Sequence, residues 1–294
     1  MAFKSGFVAL IGRPNVGKST LLNSLLGQKV AIVSPKAQTT RNVIRGVYSN
    51  SELQIVFLDT PGLHQASNVL GKYMNQKAKA SCYEVEAILL VADASKDHAE
   101  DYETLIRDIK DFNCPLFLVL NKIDLISKNQ LLTLTASFAE KFTFAGIIPV
   151  SARKKDNLEQ ILVALKEVLP EGPKYYPEST LSDNPESFIV SEIIREKILS
   201  FTREEIPHSV AVIVEKMTTT SKALNIFATI IVERESQKGI LIGKNGQMLR
   251  KIGTSARQEL SRILATPIHL ETFVRVEKDW RNSLRYLKEF GYRD

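Results

Sequence analysis

The sequence predicts two domains: a doubly wound, mostly parallel α/β sheet, followed by a smaller α+β unit. Three observations carry this reading. The N-terminal half alternates short apolar runs with longer amphipathic stretches. A proline-rich segment then interrupts the pattern, and the remaining residues follow a different order of elements.

The apolar runs are Phe7–Ile11, Leu53–Leu58, Ala87–Ala92, Leu116–Leu120 and Ile147–Val150. They are rich in Val, Ile and Leu with little polar alternation, as strands buried on both faces of a parallel sheet require. Between them, Ala99–Phe112 and Leu158–Leu169 carry helical spacing, and Asn42–Tyr48 reads as a further strand. From Pro170 to Pro185 the chain holds four prolines with Gly, Ser and Asp and no apolar period, which reads as a linker. Beyond it the expected order is helix Phe188–Phe201, strands Ser209–Val214 and Ile226–Val232, helix Met248–Leu264, strand Ile268–Val274 and a last helix from Trp280. The domains are therefore residues 1–172 and 188–294, with a linker over 173–187.

Hydrophobic residues at 44% and charged residues at 24% suit a soluble globular chain. No run approaches the roughly 18 apolar residues of a membrane span. The apolar run near the start, Phe7–Ile11, is too short for a signal peptide and reads as a buried strand. Cys82 and Cys114 lie in separate segments without metal-ligand spacing, as reduced thiols of a cytosolic protein do. The net charge of +6 divides evenly about Pro173, but it clusters locally. Between Lys238 and Arg262, six basic residues (Lys238, Lys244, Arg250, Lys251, Arg257, Arg262) face Glu259 alone, which marks where a phosphate backbone would lie.

Gly12-Arg13-Pro14-Asn15-Val16-Gly17-Lys18-Ser19, followed by Thr20, matches the P-loop pattern between a strand and a helix. Its glycines let backbone N–H groups turn around a phosphate, Lys18 reaches the β and γ oxygens, and the Ser19 hydroxyl ligates Mg²⁺. Asp59-Thr60-Pro61-Gly62 closes the second apolar run. There Asp59 is placed to hold Mg²⁺ through water and Gly62 to sense the γ-phosphate. Asn121-Lys122-Ile123-Asp124 closes the fourth. A carboxylate at Asp124 accepts from guanine N1–H and the 2-amino group, a donor pair adenine lacks; Asn121 ties the loop to the P-loop, and the Lys122 stem covers the base. Ser151-Ala152 follows the fifth run, with a backbone N–H for guanine O6. Together, at successive strand ends, these segments point to a guanine nucleotide.

Between the P-loop and Asp59 lies Lys36-Ala37-Gln38-Thr39-Thr40-Arg41. A GTPase switch needs a Thr here to close on Mg²⁺ and the γ-phosphate; Thr40 is favoured over Thr39. Leu63 stands where Ras-like proteins carry the Gln that orients water, so intrinsic hydrolysis is expected to be slow. Asn15 is a candidate ligand for a monovalent cation, with potassium the candidate ion, and equally a cap of the P-loop turn.

In the second domain, Gly243-Lys244-Asn245-Gly246 leads into a helix that carries Arg250 and Lys251. A G-x-x-G loop before a helix clamps single-stranded RNA backbone in KH domains. The GRPNVGKS, QTTR, DTPG-Leu-His, NKID, VSA and GKNG segments together resemble the Era family of bacterial GTPases over nearly the whole chain. The resemblance implies an Era-type G domain joined to a type II KH domain and Mg²⁺-dependent GTP hydrolysis. It also implies a monomer that binds small-subunit ribosomal RNA near its 3′ end and assists maturation of the small ribosomal subunit. Its implied location is the cytoplasm, with weak peripheral contact at the inner face of the membrane. The alternative is a nucleotide-gated RNA chaperone in which hydrolysis is incidental. A P-loop kinase or ATPase is disfavoured by NKID, and a tandem or tRNA-modifying GTPase by GKNG.

Overall fold

The computed structural model describes residues 3–36, 38–63, 65–109 and 112–292. It divides into two compact units, Met1–Ala31 with Thr40–Gln65 and Met74–Asp183, and Ile32–Thr39 with Ala66–Tyr73 and Asn184–Asp294.

The first unit is built on six strands: β1 (Lys4–Gly12), β2 (Ile44–Ser49), β3 (Leu53–Asp59), β4 (Ala87–Asp93), β5 (Leu116–Asn121) and β6 (Gly146–Pro149). Their order is β2-β3-β1-β4-β5-β6, parallel except for β2, which pairs antiparallel with β3. The helices between them are α1 (Lys18–Leu26), α2 (Val69–Ala80), whose residues up to Tyr73 group with the second unit, α3 (Glu103–Ile109), α4 (Lys128–Lys141) and α5 (Leu158–Val168). Every residue of β3 and of β4 is buried, because helices cover both faces. The five apolar runs thus became β1 and β3 to β6. The expected Ala99–Phe112 helix resolves into a 3-10 turn at Ala99–Tyr102 and α3; Lys110 and Asp111 lie outside the described residues.

The sheet order reverses between β1 and β4, where the chain leaves β1 toward one edge and returns at β4 toward the other. Open α/β sheets bind ligands beyond the carboxyl ends of strands at such a point. Register gathers Gly12, Asp59, Asp93 and Asn121 there: Leu10 pairs with Asp59, Gly12 with Val91, and Asp93 with Asn121.

The segment read as a linker lies along the first unit. Gln54, fully buried in β3, accepts from the Tyr175 and Tyr176 N–H groups at 2.7 and 3.0 Å and donates to the Tyr176 carbonyl at 2.8 Å. Val47 N–H donates to the Leu181 carbonyl at 2.9 Å. Proline and glycine forbid a regular element here, but a buried amide in mid-strand must still find partners, and this segment supplies them.

The second unit contains α6 (Glu186–Phe201), the short α7 (Ile206–Ser209), β7 (Ala211–Thr219), β8 (Leu224–Val232), α8 (Glu235–Ile242), α9 (Gln247–Ile263), β9 (Ile268–Val276) and α10 (Leu284–Glu289). β8 is central, antiparallel to β7 and parallel to β9. One core joins Val190, Ile194 and Ile198 of α6, Ile252, Ala256 and Leu260 of α9, and the inward residues Ile226, Ala228 and Ile230 of β8. Neither the short α7 nor α8 was anticipated from sequence. Gly239 in its middle hides α8, but the buried Gln237 side chain accepts from the Glu233 and Arg234 N–H groups and starts the helix, and Leu241 anchors it in the core.

Residues 32–39 belong to this unit: Ile32 joins its core, Val33 N–H donates to the Glu196 carboxylate at 3.0 Å, and the buried Arg195 guanidinium donates to the Thr39 carbonyl. One of the chain's passages between the units therefore falls at the peptide bond between Thr39 and Thr40.

Candidate nucleotide site and RNA-contact loop

The P-loop joins β1 to α1 through left-handed backbone at Asn15 (φ 66°) and Gly17 (φ 99°). Gly17 is required twice over: its φ disfavours any side chain, and a Cβ there would stand 2.4 Å from Asn121 Nδ2. Gly62 faces a similar limit, since a Cβ would lie 2.9 Å from Pro14 Cα. Lys18 is buried, and its ammonium donates to the Gly12 and Arg13 carbonyls at 3.2 Å each. Thr20 follows Ser19 in the first turn of α1, and Thr60, fully buried, donates to the Leu10 carbonyl at 2.7 Å.

Asp59 lies at the centre of the site. Its Oδ2 accepts from the Ser19 hydroxyl at 2.6 Å and from Thr40 Oγ1 at 3.3 Å, and the two hydroxyls stand 2.9 Å apart. Thr40, and not Thr39, therefore reaches this group; the Thr39 hydroxyl donates to the Lys36 carbonyl instead. Asp59 Oδ1 is buried with no hydrogen-bond partner. Burial raises the Asp59 pKa to about 6 against the opposing pull of Lys18, and burial lowers Lys18 to about 8. Two hydroxyls and a carboxylate with one oxygen unsatisfied form an all-oxygen donor set that fits a hard divalent cation such as Mg²⁺.

The guanine-side loops close the site laterally. Asn121 donates from Nδ2 to the Val16 carbonyl at 2.9 Å and accepts from the Ala152 N–H at 3.0 Å, tying β5 to the P-loop and to the turn after β6. The Ser151 hydroxyl donates to Asp124 at 2.6 Å. Lys122, at φ 67°, reaches back over the P-loop to the Asn15 carbonyl at 2.7 Å and to Asp93 at 2.5 Å. Asp93 was not anticipated from sequence, because a carboxylate ending an apolar strand carries no motif. Pro61 is part of the buried turn after β3, and Leu63 packs against the apolar cluster beneath the sheet, where it offers no polar group to water. Gln38 has left-handed backbone (φ 60°) and Arg41 is almost fully buried. Ala37 and His64, within the QTTR and DTPG neighbourhoods, lie outside the described residues.

In the second unit, α8 ends at Gly243 (φ 70°), and Asn245 and Gly246 are also left-handed before α9 begins. A Cβ on Gly243 would meet Met248 Cβ at 2.8 Å, so the loop demands glycine there. Lys244 and Asn245 are exposed at the tip, beside the N-terminus of α9. Arg250 is exposed on the first turns of α9; Lys251 instead lays its ammonium over the Phe201 ring, 4.4 Å from the centroid.

Comparison with known proteins agrees with this geometry. Residues 7–122 match the family of 50S ribosome-binding GTPases, and residues 205–281 match the KH domain family. The chain is 49% identical over 289 residues to GTPase Era of Lacticaseibacillus paracasei, covering 98% of this chain and 96% of that one. A point variant of Aquifex aeolicus Era bound to GDP·AlF4⁻ superposes with a TM-score of 0.96 at 43% identity, covering 99% of this chain and 100% of that one. An Era complex with MgGDPNP and nucleotides 1506–1542 of 16S ribosomal RNA gives 0.95 at 43% identity with the same coverage. A P-loop G domain followed by a KH domain, alike along nearly its whole length, places this chain in the Era family of GTPases.

Proposed function

We propose that this GTPase holds Mg²⁺ through Ser19, Thr40 and Asp59, selects guanine through Asp124, and uses its nucleotide state to time binding of small-subunit ribosomal RNA by the GKNG loop during subunit maturation. The buried, unsatisfied Oδ1 of Asp59 carries the metal part of this reading. Lys18 neutralises the β and γ oxygens, the Gly62 N–H faces the γ-phosphate, and Asn121, Lys122, Ser151 and Ala152 frame the base. A bound Mg²⁺ would supply charge neutralisation to the phosphates. RNA recognition rests on the glycine geometry of the loop, its positive charge, and the RNA bound to the similar Era complex.

Leu63 cannot orient water, so hydrolysis without a partner is slow, and a potassium ion held at Asn15 would supply part of the missing charge. The protein acts as a monomer in the cytoplasm, with peripheral contact at the inner membrane face, as the family resemblance implies. No described helix is long and apolar enough to cross a membrane.

Protons compete with Mg²⁺ for Asp59. With its apo pKa raised to about 6, the carboxylate is mostly ionised at pH 7.5 and mostly protonated at pH 5. Apparent Mg²⁺ affinity of the nucleotide-free protein should therefore fall about tenfold between those values. Titration calorimetry checks this, and a pH-independent affinity removes Asp59 from the metal site. Hydrolysis should run faster in potassium than in sodium at matched ionic strength, and Asn15→Ala should abolish the difference while retaining GDP. Equal wild-type rates in both salts return Asn15 to a turn residue.

The RNA assignment is tested by Lys244→Asp with Asn245→Asp, which keeps both glycines and so the loop. Affinity for single-stranded RNA should fall at least about tenfold, or ~1.4 kcal/mol, with less loss at high salt and GTP affinity unchanged. Wild-type RNA affinity at low salt would leave GKNG as a turn alone.

A further inference from the structure

The end of β4 and the segment that follows it, up to the 3-10 turn at Ala99–Tyr102, carry three carboxylates, Asp93, Asp97 and Asp101, and each contacts or supports a cation of a nucleotide motif. Asp93 Oδ2 accepts from the Lys122 ammonium at 2.5 Å, while its Oδ1 accepts from the Ser95 N–H and hydroxyl at 3.0 and 2.6 Å. Asp97 Oδ2 accepts from the Asp93 N–H at 2.9 Å and from the Tyr102 hydroxyl at 2.6 Å. Its other oxygen lies 3.2 Å from the Arg13 guanidinium, which is also 3.2 Å from Asp101. β4 and β5 fix the placement, since Asp93 pairs with Asn121 in the parallel ladder and the Ala94 N–H donates to the Asn121 carbonyl at 2.8 Å.

From this geometry we infer that Asp93 is a positioning residue of the nucleotide site: it aims Lys122 across the P-loop, and Asp97 holds Asp93 in place. A lysine stem has four rotatable bonds, and ordering them costs conformational entropy. An ammonium restrained only by the Asn15 carbonyl would keep alternatives in solvent, and the side chain of Lys122 is 29% exposed. A carboxylate that is itself 6% exposed and fastened by two further hydrogen bonds from Ser95, on a residue whose backbone N–H is held by Asp97, leaves it one orientation. Burial pushes the Asp93 carboxyl up, but hydrogen bonds from Lys122 and Ser95 outweigh it and hold the group below the usual carboxylate range, so it is charged at neutral pH. The inference rests on the reading that Lys122 covers the bound base. A preordered lysine then pays no ordering cost when nucleotide arrives, and it leaves less readily while nucleotide is bound.

The test measures dissociation of fluorescently labelled GDP from the full chain in a double-mutant cycle. Asp93→Asn removes the charge and keeps the shape, and should raise the off-rate about tenfold; Asp93→Glu should restore part of it. In a Lys122→Met background the same Asp93→Asn change should alter the rate less than about twofold. Ser95→Ala, which removes one support of Asp93 from the loop, should raise the off-rate by about twofold to threefold. That effect too should vanish with Lys122→Met, so the answer does not depend on how well the Asp93 variants fold. A wild-type off-rate in Asp93→Asn and Ser95→Ala, or equal increases with and without Lys122, would overturn the inference. Failure of the wild-type chain to bind GDP would instead overturn the reading of the site itself.

Discussion

The nucleotide site depends on one buried carboxylate. Asp59 ends a strand whose every residue is buried, and its Oδ2 is shared by the hydroxyls of Ser19 and Thr40, which come from the P-loop helix and from the segment before β2. Three distant parts of the chain therefore meet at one oxygen atom, and the other oxygen has no protein partner. Burying a carboxylate in this way is costly, as its raised pKa shows, and Lys18 offsets only part of the cost. A divalent cation would remove the remainder.

Thr40 and the segment just before it have different partners. The Thr40 hydroxyl meets Ser19 and Asp59, whereas the peptide just before it is held by Arg195 and the residues before that by Glu196 and the core around Ile32. One of the chain's passages between the two units falls at this peptide bond.

Most of the fold was legible because buried parallel strands leave continuous apolar runs, and the five runs read from sequence correspond to β1 and β3 to β6. The strand ends were legible for a different reason: a P-loop, a DTPG and an NKID each have a side-chain chemistry tied to its spacing. What stayed hidden had neither signal. Helix α8 carries a central Gly239 and owes its start to the Gln237 side chain, a tertiary effect that propensity does not reveal. The 173–185 segment has the composition of a free linker, yet the buried amide of Gln54 binds it to β3. Asp93 looks like the solvated end of a strand until the pairing with Asn121 sets it beside Lys122. In each case the missing information was a contact between residues far apart in sequence.

The account turns on the meeting of Thr40 with Ser19 and Asp59, which under the proposed reading would hold Mg²⁺ against a γ-phosphate. The most direct measurement is the affinity of Thr40→Ala for Mg²⁺·GDP and for the Mg²⁺ complex of a non-hydrolysable GTP analogue, by titration calorimetry. The account predicts nearly unchanged GDP binding and about tenfold or greater weakening for the analogue, ~1.4 kcal/mol or more. Equal losses for both nucleotides, or no loss for either, would contradict it.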